Sequence, residues 1–164
     1  MAALGWENAR IVTWAAVSPR FGAAERERFA GLPVVELEGG PLVVRATTAE
    51  AKRRALRRLD ALAPEHALQV PTSLFEQTFG MRFDVDLIWL DVNNDVVRVD
   101  RDVAPRRLRW CTPARSVVET VAGHAGDFLV AGLGTRSQVP GQPVVSEQWQ
   151  RASGLSWVFR AWRH

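Results

Sequence analysis

Apolar and polar residues alternate most clearly in the middle of the chain. The segment Phe79–Asp91 alternates along most of its length and becomes apolar on both faces at its far end. Such a pattern is typical of a strand that enters a core. The turn residues Asn93-Asn94-Asp95 follow, and the apolar-rich Val96–Val99 comes next. These three segments predict a β-hairpin.

Shorter elements are predicted on both sides of this hairpin. Residues that favour β-structure predict further strands at Arg10–Val17, Val34–Leu37, Leu42–Arg45 and Ser116–Val121. The second and third of these flank a glycine turn and form a second predicted hairpin. Short helices are predicted at Ala23–Phe29 and His124–Ala131, each with a glycine shortly after its end.

A longer amphipathic helix is predicted between Thr47 and Pro64. Thr47 and Glu50 have the spacing of a capping box. Apolar residues then recur at helical spacing, namely Ala55, Leu56, Leu59 and Leu62. Basic residues occupy the other side, namely Lys52, Arg53, Arg54, Arg57 and Arg58. This basic side is interpreted either as an ordinary solvated helix face or as a surface that binds phosphate or acidic groups.

Together these elements predict a mainly β (α+β) fold, a β-sandwich or barrel-like single domain with one amphipathic helix packed on it. Residues 1–134 are expected to form that domain, and residues 135–164 a Trp/Arg-rich extension packed on the core. The predicted core residues are Leu56, Leu59, Met81, Phe83, Val85, Leu87, Val97, Val117 and Leu133.

Composition narrows the possible functions only slightly. The sequence pI is about 10.3, yet the formal net charge of the 164 residues is +3. Lys52 is the only lysine and tyrosine is absent, so a small positive excess persists to high pH and the pI overstates the basicity. The single cysteine, Cys111, excludes an intrachain disulfide and a cysteine zinc cage. Without an evident signal peptide or membrane span, we expect a cytoplasmic protein that is not inserted in a membrane.

One polar group has the residue types that catalysis or metal binding requires. Arg82, Asp84 and Asp86 are expected on one strand face, with Glu119 as a further member. Paired carboxylates can bind a divalent cation or act as an acid–base pair. The alternative is an Arg–Asp ladder that keeps a strand face in solvent, or a buried pair. No phosphate loop, nucleophile elbow or zinc-protease motif occurs, so no residue is assigned as catalytic and no cofactor or metal is expected.

Two further regions have open interpretations. Cys111 has the basic neighbours Arg107 and Arg109, which would activate a thiol, but a buried structural cysteine is the preferred interpretation. The C-terminal extension contains Trp149, Trp157 and Trp162 together with Arg160. It is interpreted as a protein-binding surface, as a nucleic-acid stacking surface or as a final strand packed on the sheet.

The segment Gln77–Asp91, with the sequence QTFGMRFDVDLIWLD, resembles the signature of the domain of unknown function 192 family. The resemblance continues through Pro105 and the pattern that starts at Cys111 and ends at Ala122-Gly123, and it covers roughly residues 40–134. Three positions depart from the family pattern: Gln77 replaces His, Asp84 replaces Pro and Ala55 replaces Gly. The resemblance implies a compact, mainly β fold with a helix packed on it, and it implies no activity.

The preferred functional hypothesis is a non-catalytic binding or accessory module that acts through a protein partner, by self-association or as part of an assembly. Its candidate partner-binding residues are Arg53, Arg57, Trp149, Trp157, Arg160 and Trp162. A second hypothesis is a hydrolase-like or metal-dependent enzyme that uses Asp84, Asp86 and Glu119. A third is a weak nucleic-acid binder that uses the Lys52–Arg58 helix and the extension.

Overall fold

The computed structural model describes residue 6 and residues 8–134. In this part of the chain, strands form a seven-stranded mixed sheet and a separate two-stranded sheet. The strands are β1 (Arg10–Val12), β2 (Val34–Glu36), β3 (Leu42–Arg45), β4 (His66–Pro71), β5 (Phe75–Gln77), β6 (Val85–Leu90), β7 (Val96–Val103), β8 (Leu108–Trp110) and β9 (Ser116–Val121). The helices are α1 (Trp14–Val17), α2 (Ala23–Phe29), α3 (Ala49–Arg54) and α4 (Ala125–Val130), and a 3-10 turn spans Ser18–Arg20. The prediction of a mainly β single domain is confirmed.

The large sheet has the strand order β1-β2-β3-β4-β9-β6-β7. Both predicted hairpins are confirmed, since β2 pairs with β3 and β6 pairs with β7 in antiparallel fashion. The β3–β4 pair is parallel, so the chain between these strands crosses over the sheet, and this crossover contains α3. Strand β9 lies between β4 and β6 and is therefore buried along most of its length.

The two faces of the large sheet are covered by different elements. Leu87 and Val117 belong to one hydrophobic cluster, which includes Phe29 of α2 and the leucines that follow α3. Ile88 and Val118, each one position further along its strand, belong to a second cluster with Phe128 of α4. Because side chains alternate along a strand, the two clusters lie on opposite faces of the sheet.

The small sheet consists of β5 and β8, which pair Phe75 with Trp110 and Gln77 with Leu108. Glu76 is buried between its two exposed neighbours in β5. The side chain of Thr78 fixes the end of this sheet, because its hydroxyl donates to the carbonyl of Ala104 at 2.8 Å and accepts from the Arg107 N–H at 2.9 Å.

Several predicted elements are shorter in the structure, and two of them end early for local reasons. The strand predicted at Arg10–Val17 ends at Val12, and Trp14–Val17 is helical. The indole of Trp14 stacks on Phe21 with ring centroids 5.1 Å apart, an aromatic contact that the helical turn permits. The amphipathic helix begins at Ala49 and ends at Arg54, because Ala55 has a φ of 35° that no right-handed helix can contain.

The predicted core is largely confirmed despite the shorter helix. The buried members are Leu56, Leu59, Met81, Val85, Leu87, Val117 and Leu133. Phe83 and Val97 are partly buried against the first cluster. The prediction for residues 135–164 lies outside the described residues. Within residues 8–134, the structure contains no helix that is long and apolar enough to span a membrane.

Candidate functional site

The polar group predicted from the sequence is divided between distant places. Asp86 is fully buried on β6, on the face of the sheet that α4 covers. Its Oδ1 accepts from the Asp102 N–H at 2.9 Å, and its Oδ2 accepts from the N–H groups of Gly123 and Ala125 at 3.0 and 3.1 Å. Because backbone donors hold both oxygens, Asp86 joins β6, β7 and the start of α4, which is a structural role.

Arg82 and Asp84 precede β6 and are exposed. The Arg82 guanidinium forms an ion pair with Asp60 rather than with either aspartate of the predicted group. Asp84 contributes its backbone carbonyl, which accepts from the Ala122 N–H at 3.0 Å. The expected common strand face of Arg82, Asp84 and Asp86 is therefore not formed, because the strand begins only at Val85.

Glu119 is fully buried in the centre of β9, where its register partners are Leu68 on β4 and Leu87 on β6. It therefore shares the face of Leu87 and lies on the opposite side of the sheet from Asp86. Within the described part of the chain, no N–H or O–H group donates to either of its carboxyl oxygens. Such an environment disfavours a carboxylate and favours the protonated acid.

The partner of Glu119 is Glu76, which projects inward from the small sheet. Burial raises the pKa of Glu119 well above its usual range, and the charge and hydrogen bond of Glu76 raise that pKa further. Burial also raises the pKa of Glu76, although hydrogen bonds from the Gln77 N–H and from Glu119 act in the opposite direction. The two carboxyl groups titrate as a pair, and their burial favours a state in which the pair holds a proton.

A second buried pair joins α2 to the large sheet. The Glu25 carboxylate accepts from the N–H groups of Gly22 and Ala63 at 2.8 and 3.0 Å, and its Oε1 lies 3.0 Å from His66 Nδ1. Burial acts to raise the pKa of Glu25, but these hydrogen bonds and the charge of His66 together lower it below its ordinary value. The His66 ring also packs against Phe21, with ring centroids 4.2 Å apart.

An apolar surface covers the outer side of the small sheet. Trp110 is 64% exposed, and Phe75 and Leu108 are each 46% exposed. Phe75 lies directly opposite Trp110 in the strand pair, and Leu108 precedes Trp110 by two positions on the same side. We call these three residues the ribbon face.

Arginines surround the ribbon face. The Arg98 guanidinium donates to the carbonyl of Trp110 at 2.7 Å and to Asp100 at 2.8 Å. Arg106 and Arg107 are exposed immediately before β8. This surface therefore combines aromatic area with positive charge.

Of the predicted partner-binding residues, two fall within the described residues. Arg53 is exposed on α3, and Arg57 lines a pocket together with Arg28, Arg54 and Arg58. We call these four residues the arginine pocket. Trp149, Trp157, Arg160 and Trp162 lie outside the described residues.

Sequence reasoning missed Glu76, Glu25 and the ribbon face. Strands of three residues, such as β5 and β8, are too short for alternation to be recognised. The available signal in the sequence was an aromatic residue that follows several arginines, in the segment Arg106–Trp110. Cys111 is buried, as expected. In the part of the chain that the structure describes, no group of His, Cys, Asp or Glu residues is arranged to hold a metal ion.

Comparisons with known proteins identify the fold. No curated protein matches the sequence. Solved structures with a similar fold include a protein of unknown function from Novosphingobium aromaticivorans, with a TM-score of 0.52, 17% identity and coverage of 62% of this chain and 82% of that chain. They also include a protein from Sinorhizobium meliloti described as "a putative transcription regulator", with a TM-score of 0.51, 15% identity and coverage of 78% and 88%.

The family comparison covers most of the region from β2 to the end of α4. The model of the DUF192 family, described as an uncharacterized ACR, matches residues 35–134, more than half of the chain. This range contains the segment Gln77–Asp91, on which the resemblance in the sequence rests. The chain therefore belongs to the DUF192 family.

Proposed function

We propose that this chain is a non-catalytic binding module that takes a protein partner on the ribbon face. The observation that carries the proposal is the direct pairing of Phe75 with Trp110 on a solvent-facing surface, with Leu108 beside them. Adjacent exposed large apolar side chains are characteristic of interaction sites. Tryptophan in particular contributes a large share of the free energy of binding at interfaces.

The charges around the ribbon face favour a partner of a particular chemistry. Arg98, Arg106 and Arg107 supply positive charge, while the nearby Asp100 already accepts from Arg98 and from the Trp89 indole. A partner with an apolar anchor flanked by acidic side chains is complementary to this surface. Self-association fits less well, because a two-fold interface would place the same arginines against each other.

The polar residues support a binding role rather than catalysis. Backbone donors occupy both oxygens of Asp86, and Glu119 lies on the other face of the sheet. Asp84 is exposed and apart from both. The hypothesis of an enzyme that uses Asp84, Asp86 and Glu119 therefore has no shared geometry to support it.

The test compares two single variants of the full chain. Trp110→Ala removes the largest exposed side chain of the ribbon face, whereas Val130→Ala shortens an exposed apolar side chain on α4. Proteins that copurify with the tagged wild type are identified by mass spectrometry, and each candidate is then purified and titrated against all three chains by calorimetry. Circular dichroism confirms that both variants fold.

We expect a partner that binds the wild type and Val130→Ala equally and binds Trp110→Ala about thirtyfold more weakly, the loss typical of a central interface tryptophan. Equal affinity of all three chains for every candidate would overturn the proposal. Binding of a single-stranded oligonucleotide that depends on Trp110 would also overturn it, in favour of the nucleic-acid hypothesis. That result would bring this chain closer to the description of the Sinorhizobium meliloti protein.

A further inference from the structure

The arginine pocket brings together arginine residues from two separate parts of the chain. Arg28 comes from α2, Arg54 is the last residue of α3, and Arg57 and Arg58 follow in the turns after it. They line a pocket of about 220 Å³. This volume is below the roughly 300–1,000 Å³ of pockets that hold drug-sized molecules, so it suits a small ligand.

The backbone around the pocket holds these side chains in place. The Arg28 guanidinium donates to the carbonyls of Arg54 and Ala55 at 3.1 and 3.3 Å, which ties α2 to the end of α3. Ala55 and Arg58 both have positive φ values, of 35° and 61°.

Gly80 completes this arrangement. Its carbonyl accepts from the Arg58 N–H at 2.7 Å, and its own φ is +83°. A Cβ atom at this position would lie 3.4 Å from Nε of Arg57. That distance is an ordinary van der Waals contact, so it is the positive φ of the turn that favours glycine here.

The positive charges in the pocket are only partly neutralised. Glu50 lies 3.3 Å from Arg54, in a contact exposed to solvent. Neither Arg57 nor Arg58 forms an ion pair with any residue of the described chain. Burial lowers the pKa of Arg28 and repulsion by the positive charge of Arg54 lowers it further, although the charge of Glu27 acts in the opposite direction. An anion placed among them would remove this repulsion.

We infer that the arginine pocket binds a phosphate group. Guanidinium groups present paired N–H donors that match the oxygens of phosphate, and four arginines line this small pocket. This site is separate from the ribbon face and does not depend on the proposed function. The phosphate belongs either to a small free molecule or to a nucleic-acid backbone, and the experiment distinguishes these sources.

The experiment titrates pyrophosphate and, separately, a short oligodeoxythymidylate into the full chain by calorimetry. The test variant is Arg57→Gln, and the matched control is Arg53→Gln, which removes an equal charge from an exposed position on α3 outside the pocket. Sodium chloride at equal ionic strength controls for screening. Because both probes are defined molecules, the result is independent of any protein partner.

We expect Arg57→Gln to weaken the binding of one probe about tenfold or more, and Arg53→Gln to leave it nearly unchanged. Dependence of pyrophosphate binding on Arg57 assigns a small phosphorylated ligand, whereas dependence confined to the oligonucleotide assigns a nucleic-acid phosphate. If both variants weaken the binding of a probe equally, the loss reflects only the change in net charge, and the inference is overturned. Absence of binding by either probe would overturn it as well.

Discussion

Glu119 and Glu76 are two buried carboxyl groups that interact between the central strand of the large sheet and the small sheet, and burial raises the pKa of both. Both residues are buried, and no N–H or O–H group of the described chain donates to Glu119. The folded protein therefore retains a proton that the unfolded chain releases above about pH 4.5.

The first prediction concerns the pH dependence of stability. Folding raises the pKa values of both carboxyl groups, so the folded state binds more protons than the unfolded state. The pair therefore makes the protein less stable as pH rises from the pKa of the unfolded chain through the pKa values of the folded protein. Glu119→Gln keeps a donor for Glu76 but does not titrate. Denaturant unfolding at about pH 5 and about pH 8 should show the variant gaining stability over the wild type as pH rises. The stability of the control variant Glu65→Gln, at an exposed position, should show the same pH dependence as that of the wild type. A difference between Glu119→Gln and the wild type that does not change with pH would contradict the prediction that the buried pair holds a proton.

The second prediction concerns Glu25. Glu25→Ala leaves the N–H groups of Gly22 and Ala63 and the ring of His66 without their acceptor, so it should lower the free energy of unfolding by about 3 kcal/mol near pH 7. The pKa of Glu25 is lowered by folding, so its contribution is present above about pH 4.5 and is lost as pH falls through the folded value. The cost measured by urea unfolding should therefore shrink in acid. The control Glu27→Ala, at an exposed position on the same helix, should change the free energy of unfolding by less than about 0.5 kcal/mol. An equal loss of stability in both variants would refute the role of Glu25 as a buried hydrogen-bond acceptor.

The third prediction separates the two aspartates of the predicted polar group. Asp86→Asn replaces an oxygen acceptor with an NH₂ group that faces backbone donors, so it should destabilise the fold by about 2 kcal/mol. Asp84→Asn changes an exposed side chain and should be nearly neutral. Thermal unfolding of both variants provides the comparison. A neutral Asp86→Asn would mean that its oxygens are available for other chemistry.

The fourth prediction concerns the backbone at Ala55. Its φ of 35° favours glycine, so Ala55→Gly should raise the free energy of unfolding by roughly 1 kcal/mol. Ala51→Gly, within α3, should lower it by about 1 kcal/mol, because glycine weakens a helix interior. Denaturant unfolding measures both values. Destabilisation by Ala55→Gly would show that the buried methyl group matters more than the backbone conformation.

The sequence predicts the local elements of this fold well. The β6–β7 hairpin combines alternation with an Asn-rich turn, and α2 lies between clear end signals, so each can be recognised from neighbouring residues alone. The end of α3 is different. The sequence keeps helical spacing at Leu56, Leu59 and Leu62, but these residues lie in turns after α3, and their side chains are buried. The core requires apolar side chains at these positions whatever the backbone conformation, so the spacing alone does not show where the helix ends.

The candidate sites depend on pairings between distant segments. Asp86 and Glu119 belong to adjacent strands, yet the register places Leu87 opposite Glu119, so the two carboxyl groups point to opposite faces. A register cannot be obtained from either strand alone. In the same way, the basic side of α3 was visible in the sequence, but the contribution of Arg28 from α2 to the arginine pocket was not.

The order of strands also affects how this protein avoids aggregation. The outermost strands of the described sheet are β1, with three residues, and β7, which carries Arg98, Asp100, Arg101 and Asp102. Short or charged outer strands discourage another chain from extending a sheet through backbone hydrogen bonds. Extension of the large sheet into a fibre from either of these edges is therefore opposed.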